Sequence, residues 1–287
     1  MQTRRIGEVQ VSAIGLGAMP MSIEGRPDEE RSIATIHAAL DAGVTLIDTA
    51  DAYHLHAGEV GHNELLIARA LAGHGGDTSG VLVATKGGHL RPGDGSWTVD
   101  GRPEHLKQAC DASLKRLGVD AIGLYQFHRP DRRVPYADSV GAIRDLLDAG
   151  KIRFAGISNA NPDQIRQASE ILGGRLASVQ NQFSPEFRSS EPELDLCTEL
   201  DIAFLPWAPF GGSGRAARLG SRFAAFAEVG QAHGVSPQQA CLAWMLAKSP
   251  VVIPIPGSSR PETIRDSAQA VDVQLSTEEF NRLDATR

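Results

Sequence analysis

Three ionisable residues close or follow short apolar runs, and a fourth stands just beyond one of them. Asp48 ends the run Val44–Asp48, Lys86 ends Val81–Lys86, His128 follows Ala121–Phe127, and Tyr53 lies five residues after Asp48. Near-continuous apolar runs of this length, rich in β-branched residues, read as strands covered on both faces. An ammonium at the end of such a strand is costly to bury without a partner. Asp48, on the neighbouring strand, supplies the counter-charge. Lys86 is also one of only five lysines among 28 basic residues. A phenol beside that ammonium can hand over a proton, because the cation stabilises the phenolate and lowers a pKa that is otherwise about 10. The same lysine can instead serve as a Schiff-base nucleophile, as in an aldolase. Taken singly, each residue has a plainer role: a strand-end aspartate is usually a turn or cap, and a lone histidine a satisfied structural one. The four together point to a site.

The elements that must position them follow from the same pattern. Further runs are Ala13–Leu16, Arg153–Ile157, Ala177–Gln180, Ile202–Pro206 and Val251–Ile255, which makes eight. Helical periods lie between them, with Leu106, Cys110, Ser113, Leu114 and Leu117 on one face before Gly118. Ile33, Ile36 and Leu40 repeat the pattern before Gly43, and Val140, Ile143 and Leu147 before Gly150. Asn161-Pro162 marks a helix start, and capping boxes are expected at Ser236–Gln239 and Ser276–Glu279. Arg4–Ile6 and Val9–Val11 flank Gly7-Glu8, a hairpin placed to plug a barrel floor. Eight strands alternating with helices, with no linker or shift in composition, predict one (β/α)8 TIM barrel as a single domain over 1–287. All C-terminal strand ends then face one mouth. Ser158-Asn159, Gln180, Trp207 and the run Gly257-Ser258-Ser259-Arg260 join the four ionisable residues there.

Composition excludes several classes. A net charge of −7 and a pI near 5.7 argue against nucleic-acid or anionic-membrane partners. No signal peptide or membrane span is visible. Three well-separated cysteines, Cys110, Cys197 and Cys241, imply a reduced cytosolic protein. His54, His56 and His62 lack the acid or cysteine spacing that completes a metal site, so no metal is expected. Gly15-Leu16-Gly17-Ala18-Met19-Pro20 has proline where a dinucleotide fingerprint needs glycine. None of Tyr53, Tyr125 or Tyr136 has the lysine four residues on that short-chain dehydrogenases need.

In chain order, Asp48-Thr49-Ala50-Asp51-Ala52-Tyr53, Gly61-His62-Asn63-Glu64, Thr85-Lys86, Tyr125–Pro130, Gly156–Asn159, Gln180-Asn181 and Ile253–Gly257 resemble the aldo-keto reductase family over nearly the whole chain. The resemblance implies reduction of an aldehyde or ketone, with a reduced nicotinamide supplying hydride. Tyr53 would be the general acid, Lys86 would tune it, Asp48 would fix Lys86, and His128 would orient the carbonyl. It further implies that Ser158, Asn159 and Gln180 grip the carboxamide and that Trp207 stacks on the nicotinamide. Backbone around Pro209, Gly211, Gly257, Ser258 and Ser259 would meet the pyrophosphate. Arg260, with Arg265 one turn on, can pair with a ribose 2′-phosphate, which favours NADPH over NADH. Ser259 and Ser267 depart from the arginine and asparagine often found there. Trp97, Phe210 and His54 are expected to line the substrate pocket. A cofactor-binding regulatory subunit of the same fold and a Schiff-base aldolase using Lys86 are the alternative readings.

Overall fold

Runs too short for helices and apolar on both faces pair side by side, and here they do so in chain order. The computed structural model describes residues 1–212 and 214–286. An antiparallel hairpin of β1 (Thr3–Ile6) and β2 (Val9–Ser12) comes first, turning at Gly7 with φ of +56°. The strands β3 (Leu16–Gly17), β4 (Leu46–Asp48) and β5 (Leu82–Gly87) follow. A short excursion, β6 (His89–Leu90) against β7 (Thr98–Val99), interrupts the alternation. Then come β8 (Ile122–Phe127), β9 (Ile152–Ser158), β10 (Leu176–Gln180) and β11 (Ala203–Phe204). Without the two hairpins, these strands form one parallel sheet in the order β3-β4-β5-β8-β9-β10-β11. The helices α1 (Glu29–Asp41), α2 (His62–Gly73), α3 (Pro103–Leu117), α4 (Tyr136–Asp148), α5 (Pro162–Ile171) and α6 (Glu191–Glu199) fill the successive crossovers. The stretch α7 (Leu219–Arg222), α8 (Ala224–His233) and α9 (Pro237–Lys248) follows β11, and α10 (Pro261–Ala268) and α11 (Thr277–Asp284) end the chain.

The eighth run closes the sheet into a (β/α)8 barrel. Ile253 and Ile255 donate to the carbonyls of Phe204 and Pro206 on one side; Gly15 and Gly17 donate to those of Pro254 and Pro256 on the other. The two prolines have no N–H to return, so the seam to the first strand is bonded almost in one direction only. The first strand accordingly pairs over only two residues, and the seventh also pairs over two, both shorter than the runs Ala13–Leu16 and Ile202–Pro206. Inside, Leu46, Leu82, Leu124, Phe154, Leu205 and Ile253 pack with Ile6 and Val11 of the plugging hairpin. The expected caps form: Gly118 is left-handed after α3, and Asn161 and Ser276 complete capping boxes. Ser236 caps α9 through Gln239 N–H, but the Gln239 side chain goes to Asp266 instead of returning.

Gly17 marks the closure point. A Cβ there would lie 2.8 Å from the Ile255 carbonyl oxygen and 3.2 Å from that of Pro256, both backbone atoms that cannot swing away. Gly17→Ala should therefore lower stability by about 1–3 kcal/mol, the usual cost of overpacking. Urea unfolding checks it; an unchanged midpoint would mean that the seam yields.

Candidate active site

Strand periodicity alone aims the reactive side chains inward. Residues i and i+2 share a face. Leu46 lies in the barrel interior, so Asp48 points there too; Leu82 and Ala84 lead likewise to Lys86, and Leu124 to Gln126. Phe154 leads through Gly156 to Ser158, and Ala203 and Leu205 to Trp207. In β10 a register shift between Leu176 and Ser178 resets the alternation, so that Ser178 and Gln180 face Gln126 and Asp48. The polar layer is the last turn of the interior pattern before each strand ends.

Lys86 is fully buried, and all three of its N–H groups are taken. Nζ donates to Asp48 Oδ1 at 2.7 Å, to the Thr49 carbonyl at 2.7 Å and to Tyr53 Oη at 3.2 Å. Asp48 Oδ2 accepts from Gln180 Nε2 at 2.7 Å and from Gln126 Nε2 at 3.5 Å. Burial pushes the Lys86 ammonium down, but Asp48 and Tyr53 outweigh it and hold the pKa above its ordinary value. Burial raises the Asp48 carboxyl above the usual carboxylate range, against the pull of Lys86, Gln180 and Gln126. The amine is thus a locked cation with no lone pair, contrary to what a Schiff-base nucleophile needs.

Tyr53 departs from the expected balance. Its phenol is buried, and that burial outweighs the lowering by Lys86, so its pKa lies above 10 rather than below it. Desolvating a phenolate costs more here than the cation, already shared with Asp48, returns. Tyr53 therefore keeps its proton, and because Lys86 donates to its oxygen, the O–H is free to donate elsewhere. His128 meets the Tyr53 ring edge to face at 5.8 Å. Burial, then Lys86, His89 and Arg129, hold its imidazole well below 6.5, so it stands neutral.

Behind the sheet, the second motif proves structural. Thr49 Oγ1 donates to Asn63 Oδ1, Asn63 Nδ2 donates to the Ala18 carbonyl, and Thr85 Oγ1 donates to Glu64. These bonds clamp α2 to the outer faces of β4 and β5, one residue out of phase with Asp48 and Lys86.

The other expected residues divide. Asn159, left-handed at φ +57°, donates through Nδ2 to the His128 carbonyl and to Ser158 Oγ, while Ser158 Oγ donates to the Gln180 carbonyl. Trp207 is half-buried on top of the interior cluster, with Nε1 buried and unpartnered. Beyond it, Ala208, Gly211, Gly212 and Gly214 all have positive φ, and open space surrounds Gly212 and Gly214. Such a sequence of turns can aim backbone N–H groups at an anion. Pro209 lies buried at the base of this loop. Gly257 bridges to Gly17, Ser258 Oγ caps the turn into α10, Ser259 is half-buried, and Arg260 is exposed beside Glu262 at 3.6 Å. The donors, the open glycine loop and the partly covered indole fit a dinucleotide with its nicotinamide at the barrel mouth.

Two placements, of Arg265 and Phe210, differ from the sequence reading. Arg265 does not join Arg260: five residues on is about 140° around a helix, and Arg265 lines a groove with Met1, Asp41 and Asp272 at the barrel floor. Phe210 is 9% exposed and packs into the cluster between sheet and helices with Leu219 and Phe223, not into the mouth. Gln180 gives one N–H of its amide to Asp48, which leaves its other N–H and its oxygen for a carboxamide. His54 is buried, with Nδ1 at 2.8 Å from the His56 carbonyl, whereas Trp97 is 38% exposed on the β6–β7 hairpin. Sequence reasoning missed Gln126 and His89. Two-residue spacing back from His128 would have found Gln126; His89 lies outside all eight apolar runs, so no periodicity marks it.

The model of the Aldo/keto reductase family matches residues 13–287. This chain belongs to the aldo/keto reductase family. A 6-dehydroglucose reductase of Novosphingobium aromaticivorans is 33% identical over 96% of this chain and 92% of its own length. An uncharacterised oxidoreductase of Schizosaccharomyces pombe is 36% identical over 98% of this chain and 89% of its own. Among solved structures, the glycerol dehydrogenase from Gluconobacter oxydans superposes with a TM-score of 0.83 at 27% identity, covering 98% of this chain and 94% of that one. An aldo/keto reductase from Klebsiella pneumoniae, in complex with NADP and acetate, gives 0.81 at 27% identity, covering 98% and 94%. As an aldo-keto reductase the protein is an oxidoreductase, from a family that uses nicotinamide cofactors on small carbonyl compounds. No helix among its described residues is long and apolar enough to cross a membrane.

The buried pair is testable by stability. Lys86→Met strands the Asp48 carboxylate and should cost about 3–5 kcal/mol at pH 7, while Lys86→Met with Asp48→Asn should recover most of it. An acid whose folded pKa exceeds its unfolded one binds more protons when folded, so stability rises as pH falls. The deficit of Lys86→Met should accordingly narrow between pH 7 and pH 5 in urea titrations. A constant deficit would show that Asp48 is not the stranded charge.

Proposed function

We propose that this aldo-keto reductase reduces aldehydes or ketones to alcohols with NADPH, and that Tyr53 gives the proton. The observation that carries the reading is the Lys86 ammonium, bonded at once to Asp48 and to the Tyr53 oxygen. When bound, the reduced nicotinamide supplies hydride to the carbonyl carbon. Ser158, Asn159 and Gln180 would hold its carboxamide through their remaining acceptor oxygens and the second N–H of Gln180, with Trp207 against the ring. Tyr53, protonated across neutral pH, donates its O–H to the carbonyl oxygen. As negative charge develops there, the proton crosses, and Lys86 stabilises the phenolate left behind. Asp48, held by Gln180 and Gln126, keeps Lys86 charged and in place. The neutral His128 donates a second hydrogen bond to the same oxygen and fixes which face is presented. The chain works as one barrel domain over 1–287, and its three buried, unpaired cysteines support a cytoplasmic home.

Tyr53→Phe keeps the ring and removes only the proton donor. Reduction should fall at least 100-fold in kcat, within the range general acid catalysis supplies (about 10²–10⁴), while the Kd for NADPH measured by fluorescence stays within a factor of about three. A variant keeping a tenth of the activity would remove Tyr53 from the role.

Arg260 stands exposed at the start of α10 with only Glu262 to compete for it. Arg260→Ala should weaken NADPH by roughly 10- to 100-fold, the worth of one charge-assisted contact, and NADH little. Equal losses for both would transfer the 2′-phosphate to another group.

A further inference from the structure

His128 lacks the restraint that usually sets an imidazole. Its Nδ1 is buried with no hydrogen-bond partner, so no carboxylate or carbonyl fixes its plane. The bonds from His128 N–H to the Gly87 carbonyl, and from Asn159 to the His128 carbonyl, hold only its backbone. The ring is gripped instead by rings. Tyr53 meets it on one side at 5.8 Å, and His89 meets it edge to face at 4.8 Å and 78°. His89 is in turn stacked on Trp97 at 4.7 Å and 28°. The Arg91 guanidinium lies 4.9 Å from the Trp97 ring, and Arg91 is anchored to the His54 carbonyl at 2.6 Å and to Glu24. A row of four rings thus runs from solvent at Trp97 through His89 and His128 to the Tyr53 phenol, and His89 links its exposed end to His128.

We propose that His89 is a positioning residue of the active site: by packing on His128 it fixes that ring's plane and keeps water from it, so that the carbonyl-directed nitrogen stays aimed. This rests on the reading of His128 as a donor to the carbonyl. His89 acts through its ring and not through a charge. Burial, then Arg129 and Lys86, push its imidazole down to about 4, so it is neutral wherever the enzyme works. The charged and titratable groups around His128 are Lys86 from β5, His89 from β6, Tyr53 from the loop after β4, and Arg129 next in the chain. Removing His89 opens the one side that faces the solvent-exposed hairpin. The hairpin supplies a shape that β5 alone cannot, since β5 ends at Gly87 and Lys86 points into the barrel.

The test uses the whole chain with NADPH and 4-nitrobenzaldehyde, comparing His89→Ala, His89→Phe and His128→Ala, with NADPH binding as the check on folding. His89→Ala should lose about 10-fold or more in kcat, because small misplacements of a catalytic group are costly, with the Kd for NADPH unchanged. Its acid limb of kcat/KM should also move up towards 6.5, because water reaching His128 relieves the desolvation that lowers its pKa. His89→Phe, which restores the ring, should recover most of the lost kcat and return the acid limb. If His89→Ala matches the wild type in both while His128→Ala is inactive, the inference about His89 falls and the reading of His128 stands. Equal impairment in His89→Ala and His89→Phe also overturns it, since ring packing would then not be what matters. Full activity in His128→Ala would remove the reading on which it rests.

Discussion

The buried pair of Lys86 and Asp48 is the constraint around which the rest of the barrel mouth is arranged. A cation and an anion taken out of water at the end of a sealed core are tolerable only if every donor and acceptor finds a partner. Here the three N–H groups of Lys86 go to Asp48, the Thr49 carbonyl and Tyr53, and the second oxygen of Asp48 goes to Gln180 and Gln126. One ion pair therefore gathers β4, β5, β8 and β10 at the same height. Tyr53 joins that network as an acceptor from Lys86, which leaves its hydrogen free to be donated elsewhere.

The same burial that makes the pair demanding also sets the protonation states. Tyr53 is kept protonated because desolvation exceeds the help of a lysine already committed to Asp48. His128 is kept neutral by burial among the cations Lys86 and Arg129. In the proposed reaction two neutral donors would face a carbonyl above one locked cation, which would stabilise negative charge only as it forms on the phenol. Around them the packing is layered. An apolar interior plugged from below by Ile6 and Val11 carries the polar layer, and the seam between the first and eighth strands closes it with carbonyls of prolines.

The glycines and prolines at the closure show how local chemistry shapes the whole. Pro254 and Pro256 cannot donate, so their strand is held to the first mainly through their carbonyls, with one bond returned from Ser258 N–H to the Gly17 carbonyl, and Gly17 must remain without a side chain for the backbones to approach. The β6–β7 hairpin shows the opposite case. It is a short antiparallel element inserted where the fold needs only a loop, and it carries His89 and Trp97 to the mouth.

Much of this was legible in the sequence because it depends on local periodicity. Eight apolar runs with helical segments between them specify a barrel, and a charge two residues beyond the last interior leucine or alanine must face its mouth. Asp48 and Lys86 stand two residues after Leu46 and Ala84, His128 four after Leu124, and all three were marked by closing or following an apolar run; the caps at Gly118, Asn161 and Ser276 were legible too. What the sequence could not decide were quantities set by distant neighbours. Whether Lys86 or burial governs Tyr53 depends on how fully the phenol is desolvated; that Gln180 reaches Asp48 depends on a register shift inside β10. Arg265 follows Arg260 closely in sequence but turns to the barrel floor with its helix, and Phe210 follows a mouth residue but is drawn into the outer core. His89 drew no reading from the sequence. Only closing the hairpin against His128 gave it a place, because contact between rings is made by the fold and leaves no period in the chain.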